Sequence, residues 1–303
     1  MRSKLPIVCF ILLAGCRRSG AAATPTASDD EAPSAPDRGG SSSASAPARV
    51  EPPALAAEDA GEAAEANLPQ VEPDWCLDGW RALDEGTCYV LPVARPTRLL
   101  IYLSGIVPPT PTSSQKENVQ RIVAAAAHKY GVAAILPRGR RGIGPKDARD
   151  WWAWPTGASD HARYAKEMVA SFTSARSRLE QALGRPFDRT YLAGSSSGAY
   201  FLASLALAGE IDADGYAAAS GGAPGLVTPG ARARKRPFYV GNGSGDPTNG
   251  GPKALATYLE RAGWPVRASE IAAGHGAREA YLTEAFDFWA SFELDAGASS
   301  PAP

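Results

Sequence analysis

The chain has 303 residues, room for one large domain or two small ones, and its 44% hydrophobic content suits a packed globular protein. Its 31 Lys and Arg against 32 Asp and Glu leave a net charge of −1, so nothing in the overall balance points to nucleic acid as a partner. The one notably basic run, ARARKRP at 231–237, reads as a solvated segment leading into a strand.

At the N-terminus, MRSKLPIVCFILLAGC sets Arg2 and Lys4 before an apolar run from Leu5 to Leu13, then small residues. That is the order of a secretory signal, and the run is too short to span a bilayer as a mature helix. Leu13-Ala14-Gly15-Cys16 resembles the lipobox of bacterial lipoproteins. The resemblance implies removal of residues 1–15 and diacylglycerol on the Cys16 sulfur, each buried methylene contributing about 0.8 kcal/mol to membrane attachment. Arg17, rather than Asp, follows the cysteine, which in the sorting rule of such lipoproteins favours the outer membrane of the cell envelope.

Residues 16–73 are almost all Ala, Ser, Pro, Gly, Asp and Glu, with no aromatic side chain. So little apolar surface cannot offset the entropy of ordering, and a disordered tether is expected. With Cys9 in the signal and Cys16 lipidated, Cys76 and Cys88 remain, and an oxidising compartment would pair them. A loop that short contributes about 3 kcal/mol on the chain-entropy model. No His or Cys cluster lies near them to suggest a metal.

From 74 to 295 short β-rich runs alternate with longer helical ones. Strands are expected at 87–93 and 98–104, the second followed by the loop GIVPPTPT. A helix over 115–130 stops at Gly131, and an apolar strand over 132–137 leads into RGRRGIG. Helical periodicity returns over 160–183, with Asp160 as N-cap and Gly184 past the end. The strand 190–194 runs straight into GSSSG and a helix over 198–208. Strands at 215–221, 237–243 and 266–272 follow, with a helix at 252–262 between the last two. An amphipathic helix over 278–292 closes the domain, and 296–303 is a polar tail. The alternation implies one α/β domain, a mostly parallel sheet with helices on both faces.

Within Gly194-Ser195-Ser196-Ser197-Gly198 only Ser196 is the centre of G-x-S-x-G. This motif places a serine on a strained turn between strand and helix, where glycines avoid collision with neighbouring backbone. A serine hydroxyl needs a base. Of three histidines, His128 and His161 lie in helices and read as structural or surface residues. His275, in the loop AAGHGAR, is the only one downstream of Ser196. Asp246, in the Gly-rich loop after a strand, is the acid expected to orient it. Asp212 and Asp214 precede a strand and belong at the opposite edge of the sheet.

The order Ser196, Asp246, His275 is that of α/β-hydrolases. From about 83 to 292 the chain resembles that superfamily, and within it the secreted esterases grouped with polyhydroxybutyrate depolymerases and feruloyl esterases. The resemblance implies an oxyanion hole from the Ser197 amide and one from the loop after the third strand. There Ser104-Gly105 replaces the His-Gly of many members, with Gly105 or Ile106 as second donor and Ile106 preferred. Asn242 stands where related esterases often carry His. In DWWAWP (150–155), Trp152 or Trp154 would line an acyl or aromatic substrate site, or serve as core packing or an aromatic surface.

These readings converge on a membrane-tethered exported serine esterase, with no metal or cofactor, acting on a small or polymeric ester. The alternatives are a catalytically silent binding or envelope-interaction module on the same fold, or a peptidase or acyltransferase with the same triad.

Overall fold

A computed structural model of the chain describes residues 75–93 and 95–298, with side chains as far as 293. The expected signal peptide, Cys16 and the tether up to 73 lie outside the described residues. In chain order the elements are β1 (Arg81–Asp84), β2 (Thr87–Val90), β3 (Arg98–Leu103), α1 (Ser114–Tyr130), β4 (Ala133–Pro137), α2 (Ala158–Leu183), β5 (Arg189–Ser195), α3 (Ser197–Ala208), β6 (Gly215–Ala219), β7 (Phe238–Gly243), α4 (Gly250–Arg261), β8 (Val266–Ile271) and α5 (Glu279–Ala298). One 3-10 turn, Lys146–Ala148, lies in the long connection before α2.

The strands form a single sheet in the order β1-β2-β4-β3-β5-β6-β7-β8. β2 pairs antiparallel with both β1 and β4, and every pairing from β4 across to β8 is parallel. Parallel neighbours need crossovers, and the crossover helices bury both faces, so the central strands are apolar on both sides. β3 shows the consequence. Leu99, Ile101 and Leu103 join one core with Phe172 of α2, Phe201 of α3 and Leu255 of α4. Leu100 and Tyr102 join the other, with Val123 of α1 and Trp289 of α5. Each such side chain, taken fully out of water, stabilises the fold by about 1.5–3 kcal/mol.

Helix limits follow local chemistry. Ser113 caps α1 by accepting from the Lys116 amide at 3.4 Å, and Gly131 ends it at φ 61° with its N–H on the Ala127 carbonyl. α2 departs from expectation: it begins at Ala158 behind Gly157, so Asp160 is inside the first turn and caps nothing. Its negative charge still suits the positive end of the helix. α5 runs on to Ala298, past the expected end at 292.

The entry segment is fastened at one edge of the sheet. Cys76 and Cys88 form a disulfide to β2, with Cα atoms 5.4 Å apart. Gln120 of α1, buried, donates to the Trp75 carbonyl and accepts from the Leu77 amide, both at 2.8 Å. Trp75 and Trp80, also buried, donate their indole N–H groups to the carbonyls of Leu136 and Gln120. Among the described residues no helix is long and apolar enough to cross a membrane.

Candidate active site

β5 ends at Ser195 and α3 begins at Ser197, which leaves Ser196 on the turn between them at φ 52°, ψ −123°. A side chain rarely adopts such a conformation, and it costs about 1–3 kcal/mol unless the surroundings hold it. Here the Ser196 amide donates to Ala219 O of β6 at 3.0 Å, and its carbonyl accepts from Tyr200 N at 3.1 Å. The flanking glycines are sterically required. A Cβ on Gly198 would lie 2.2 Å from the Leu103 carbonyl oxygen, and one on Gly194 2.7 Å from the same atom. The turn therefore sits hard against the end of β3.

Two loops bring the partners. Asp246 lies between β7 and α4, its side chain fully buried, and His275 lies between β8 and α5. His275 Nε2 is 2.8 Å from Ser196 Oγ, and Nδ1 is 2.9 Å from Asp246 Oδ2. Asp246 Oδ1 accepts from the Thr248 amide at 2.8 Å and the Thr248 hydroxyl at 2.7 Å. Burial by itself would push the Asp246 carboxyl up, but the bonds from Thr248 and His275 outweigh it and hold the group below its ordinary value. An ionised carboxylate only accepts, so the Nδ1 proton belongs to His275 and Nε2 is left to accept from the Ser196 hydroxyl.

Ser196 and His275 open onto a cavity of about 620 Å³ lined by Gly105, Ile106, Gln115, Asn118, Trp151 and Arg278 among others. Gly105 abuts the serine: a Cβ there would be 3.1 Å from Ser196 Cβ. Val107 N donates to Trp152 O at 2.9 Å, which spends that amide and fixes the loop. The Ser197 amide opens α3, where helical geometry supplies no acceptor.

Of the readings open for the tryptophans, neither Trp152 nor Trp154 lines the Ser196 cleft. Trp154 is core, 1% exposed, stacked on Phe201 and edge-on to Phe172. Trp152 lines a separate cavity beside Arg138, whose guanidinium lies 4.1 Å from its ring centroid. The cause is an antiparallel bridge between Val107 and Trp152, which fixes which residues of the extended segment face the cleft. Trp151 is the one that lines it.

Sequence reasoning missed other contributors. Thr248 had a readable signal, an aspartate two residues before a threonine, as in a side-chain-to-backbone turn. Ser220 had none. It is fully buried at φ 48°, and its hydroxyl donates at 3.1 Å to the carbonyl of Gly276, the residue after His275. Ser195 is also buried, and its hydroxyl partly offsets the burial that pushes the pKa of the Tyr102 hydroxyl up to about 12.

The remaining candidates lie elsewhere. His161 is buried, with Nε2 2.7 Å from Glu210, and His128 is exposed on α1. Asn242 donates to Glu270 at 2.8 Å. Asp212 and Asp214 are at the amino end of the sheet, paired with Arg234 and Arg189. Among the described residues no group of three or more His, Cys, Asp or Glu is placed to hold a metal ion.

No protein-family model and no curated protein matches the sequence. Solved structures do match in shape. A carboxylesterase from Mesorhizobium loti superposes with TM-score 0.51 at 19% identity, covering 71% of this chain and 97% of its own. A Bacillus cereus carboxylesterase gives 0.50 at 15% identity, over 65% and 90% of the two chains. A variant of SOBER1 from Arabidopsis thaliana gives 0.50 at 16% identity, over 65% and 99%. With the sheet described above, these likenesses show that the chain has the α/β-hydrolase fold.

Proposed function

We propose that the protein is a serine hydrolase that cleaves carboxylic esters through an acyl-enzyme. The observation that carries this reading is the hydrogen-bonded chain from Ser196 Oγ through His275 to Asp246 at the mouth of an open cavity. Ser196 Oγ attacks the ester carbonyl carbon while His275 Nε2 takes its proton, and Asp246 steadies the imidazolium that forms. The carbonyl oxygen, now negative, is received by the Ser197 amide and by Ile106 from the loop beside Gly105. One such donor is worth about 100- to 1000-fold in rate. His275 returns its proton to the departing alcohol, and water, activated the same way, releases the acid and restores Ser196. The two carboxylesterases of the same fold support the choice of ester as substrate class.

A fluorophosphonate probe should form one adduct, on Ser196, and p-nitrophenyl acetate should be hydrolysed. Both should vanish in Ser196→Ala. Labelling that persists in that variant would sink the assignment.

We also propose that the chain is exported and held at the cell envelope by lipid on Cys16, with residues 16–73 as a tether. The Cys76–Cys88 disulfide supports this, since such bonds persist in oxidising compartments. Detergent-phase partitioning of the full chain, lost in Cys16→Ala, is the expected result.

A further inference from the structure

We infer that the ester cleaved at this site carries a free carboxylate, and that Arg278 in the cleft wall binds it. The inference rests on the esterase reading above and narrows its substrate class.

The lining of the Ser196 cleft includes one side chain with a full permanent charge, Arg278, and no carboxylate. Arg278 is part-buried, and among the described residues no acid lies within ion-pair distance of it. Its contacts are carbonyls of its own loop: Nη1 donates to Ala277 O at 2.8 Å, and Nη2 to Gly274 O at 3.3 Å and His275 O at 3.4 Å. A guanidinium has five N–H donors in a fixed fork, so these contacts leave Nε–H and one Nη1 hydrogen unused. Its charge is not neutralised by any of them. Several arginines elsewhere are paired, and Arg140, Arg176, Arg178, Arg189 and Arg234 each meet a carboxylate at 3.0 Å or less.

The surroundings favour an anion. Asn118 has its side-chain oxygen occupied by Arg121 and its amide nitrogen directed to Ala277 O, so what it presents to the loop is N–H. Asp246, the nearest buried negative charge, is behind His275 with both oxygens engaged by Thr248 and His275. One unneutralised cation matches one negative charge, which selects a carboxylate over a doubly charged phosphate. Arg278 lines the same cleft as Ser196 and His275, so a carboxylate bound there would belong to the molecule whose ester reaches Ser196.

The experiment compares two p-nitrophenyl esters of equal size, the monoglutarate and the glutaramate, which differ in one charge. With full-length wild type at low salt, kcat/KM for the glutarate should exceed that for the glutaramate by about tenfold or more, the range of a charge-assisted bond. Added salt should erode the ratio. In Arg278→Met the ratio should fall to about one, and Arg278→Lys should keep part of it. Because Arg278 also braces the His275 loop, either change can slow both esters alike, and the ratio cancels that effect. A wild-type ratio near one, or the same ratio in Arg278→Met, overturns the inference. If neither ester is turned over while p-nitrophenyl acetate is, the inference is overturned. If p-nitrophenyl acetate is also left intact, the esterase reading fails by itself, and glutarate binding measured by calorimetry decides the site. Binding to wild type that is lost in Arg278→Met upholds the carboxylate site, whereas equal binding or none refutes it.

Discussion

Asp246 follows β7 at the carboxyl end of the parallel sheet, and Asp214 precedes β6 at the amino end. Both carboxylates are fully furnished with donors. Asp214 takes Arg189 Nη1 at 2.9 Å and the Thr190 amide at 2.8 Å, tying β5 to the turn before β6. Asp246 takes two donors from Thr248 and one from His275. Their exposure separates them, 26% for the Asp214 side chain and 0% for Asp246. At the amino end a wet ion pair locks strands that already adopt ordinary backbone angles. At the carboxyl end a dry carboxylate faces the His275 ring, and the two non-glycine residues with positive φ among the described residues, Ser196 and Ser220, lie close by. Strain and desolvated charge are concentrated where a reacting molecule would use them.

Replacing both aspartates separately gives the sharpest break in that comparison. Asp246→Asn should lower kcat about 10⁴-fold, because the amide favours the wrong imidazole tautomer while the turn stays in place. Next in size is Ser220→Ala. Ser220 is a positioning residue, and releasing the Gly276 carbonyl lets His275 drift, with a loss of about 10- to 100-fold in kcat. KM should hold, since the cleft lining is unchanged. Ser220→Gly relieves the positive φ but also lacks the hydroxyl, so it should show the same kcat loss. Recovery of activity in the glycine variant would assign the effect to backbone strain instead.

A smaller effect is read from stability. Asp246 is held below its ordinary value of 3.8 in the folded protein. Its ionised form therefore favours folding at neutral pH, and that contribution fades as pH falls through the carboxylate range toward the folded value. Melting curves of wild type and Asp246→Asn should accordingly converge in acid. The smallest change is expected of Asp214→Asn, about 1–2 kcal/mol of stability with kcat unchanged, since its ion pair is partly screened by water.

Most of the sheet was legible because its strands are continuous apolar runs between helices with clear stops such as Gly131 and Gly184. β1 was not, because Arg-Ala-Leu-Asp is four residues with no β-branched side chain. The placing of Ser196 beside His275 and Asp246 followed from chain order, since every loop after a parallel strand opens at the same end of the sheet. The cleft wall did not follow from local sequence. Which tryptophan faces it is set by Val107, more than forty residues away in the chain. Ser220 was invisible for a related reason: its bond to Gly276 spans 56 residues, and nothing in Ala-Ser-Gly announces a positive φ.

The fastening at Trp75 has a mechanical consequence. Traction applied to the chain upstream of Trp75 would meet the Cys76–Cys88 bridge after a single residue and pass to β2. β2 is laced to β4 over Thr87–Val90, so the load would be shared along that ladder in shear. β5 and the serine turn lie three strands further in than β2, beyond β4 and β3. A domain pulled by its leader in this way would transmit the tug to its rim and leave the reactive turn unloaded.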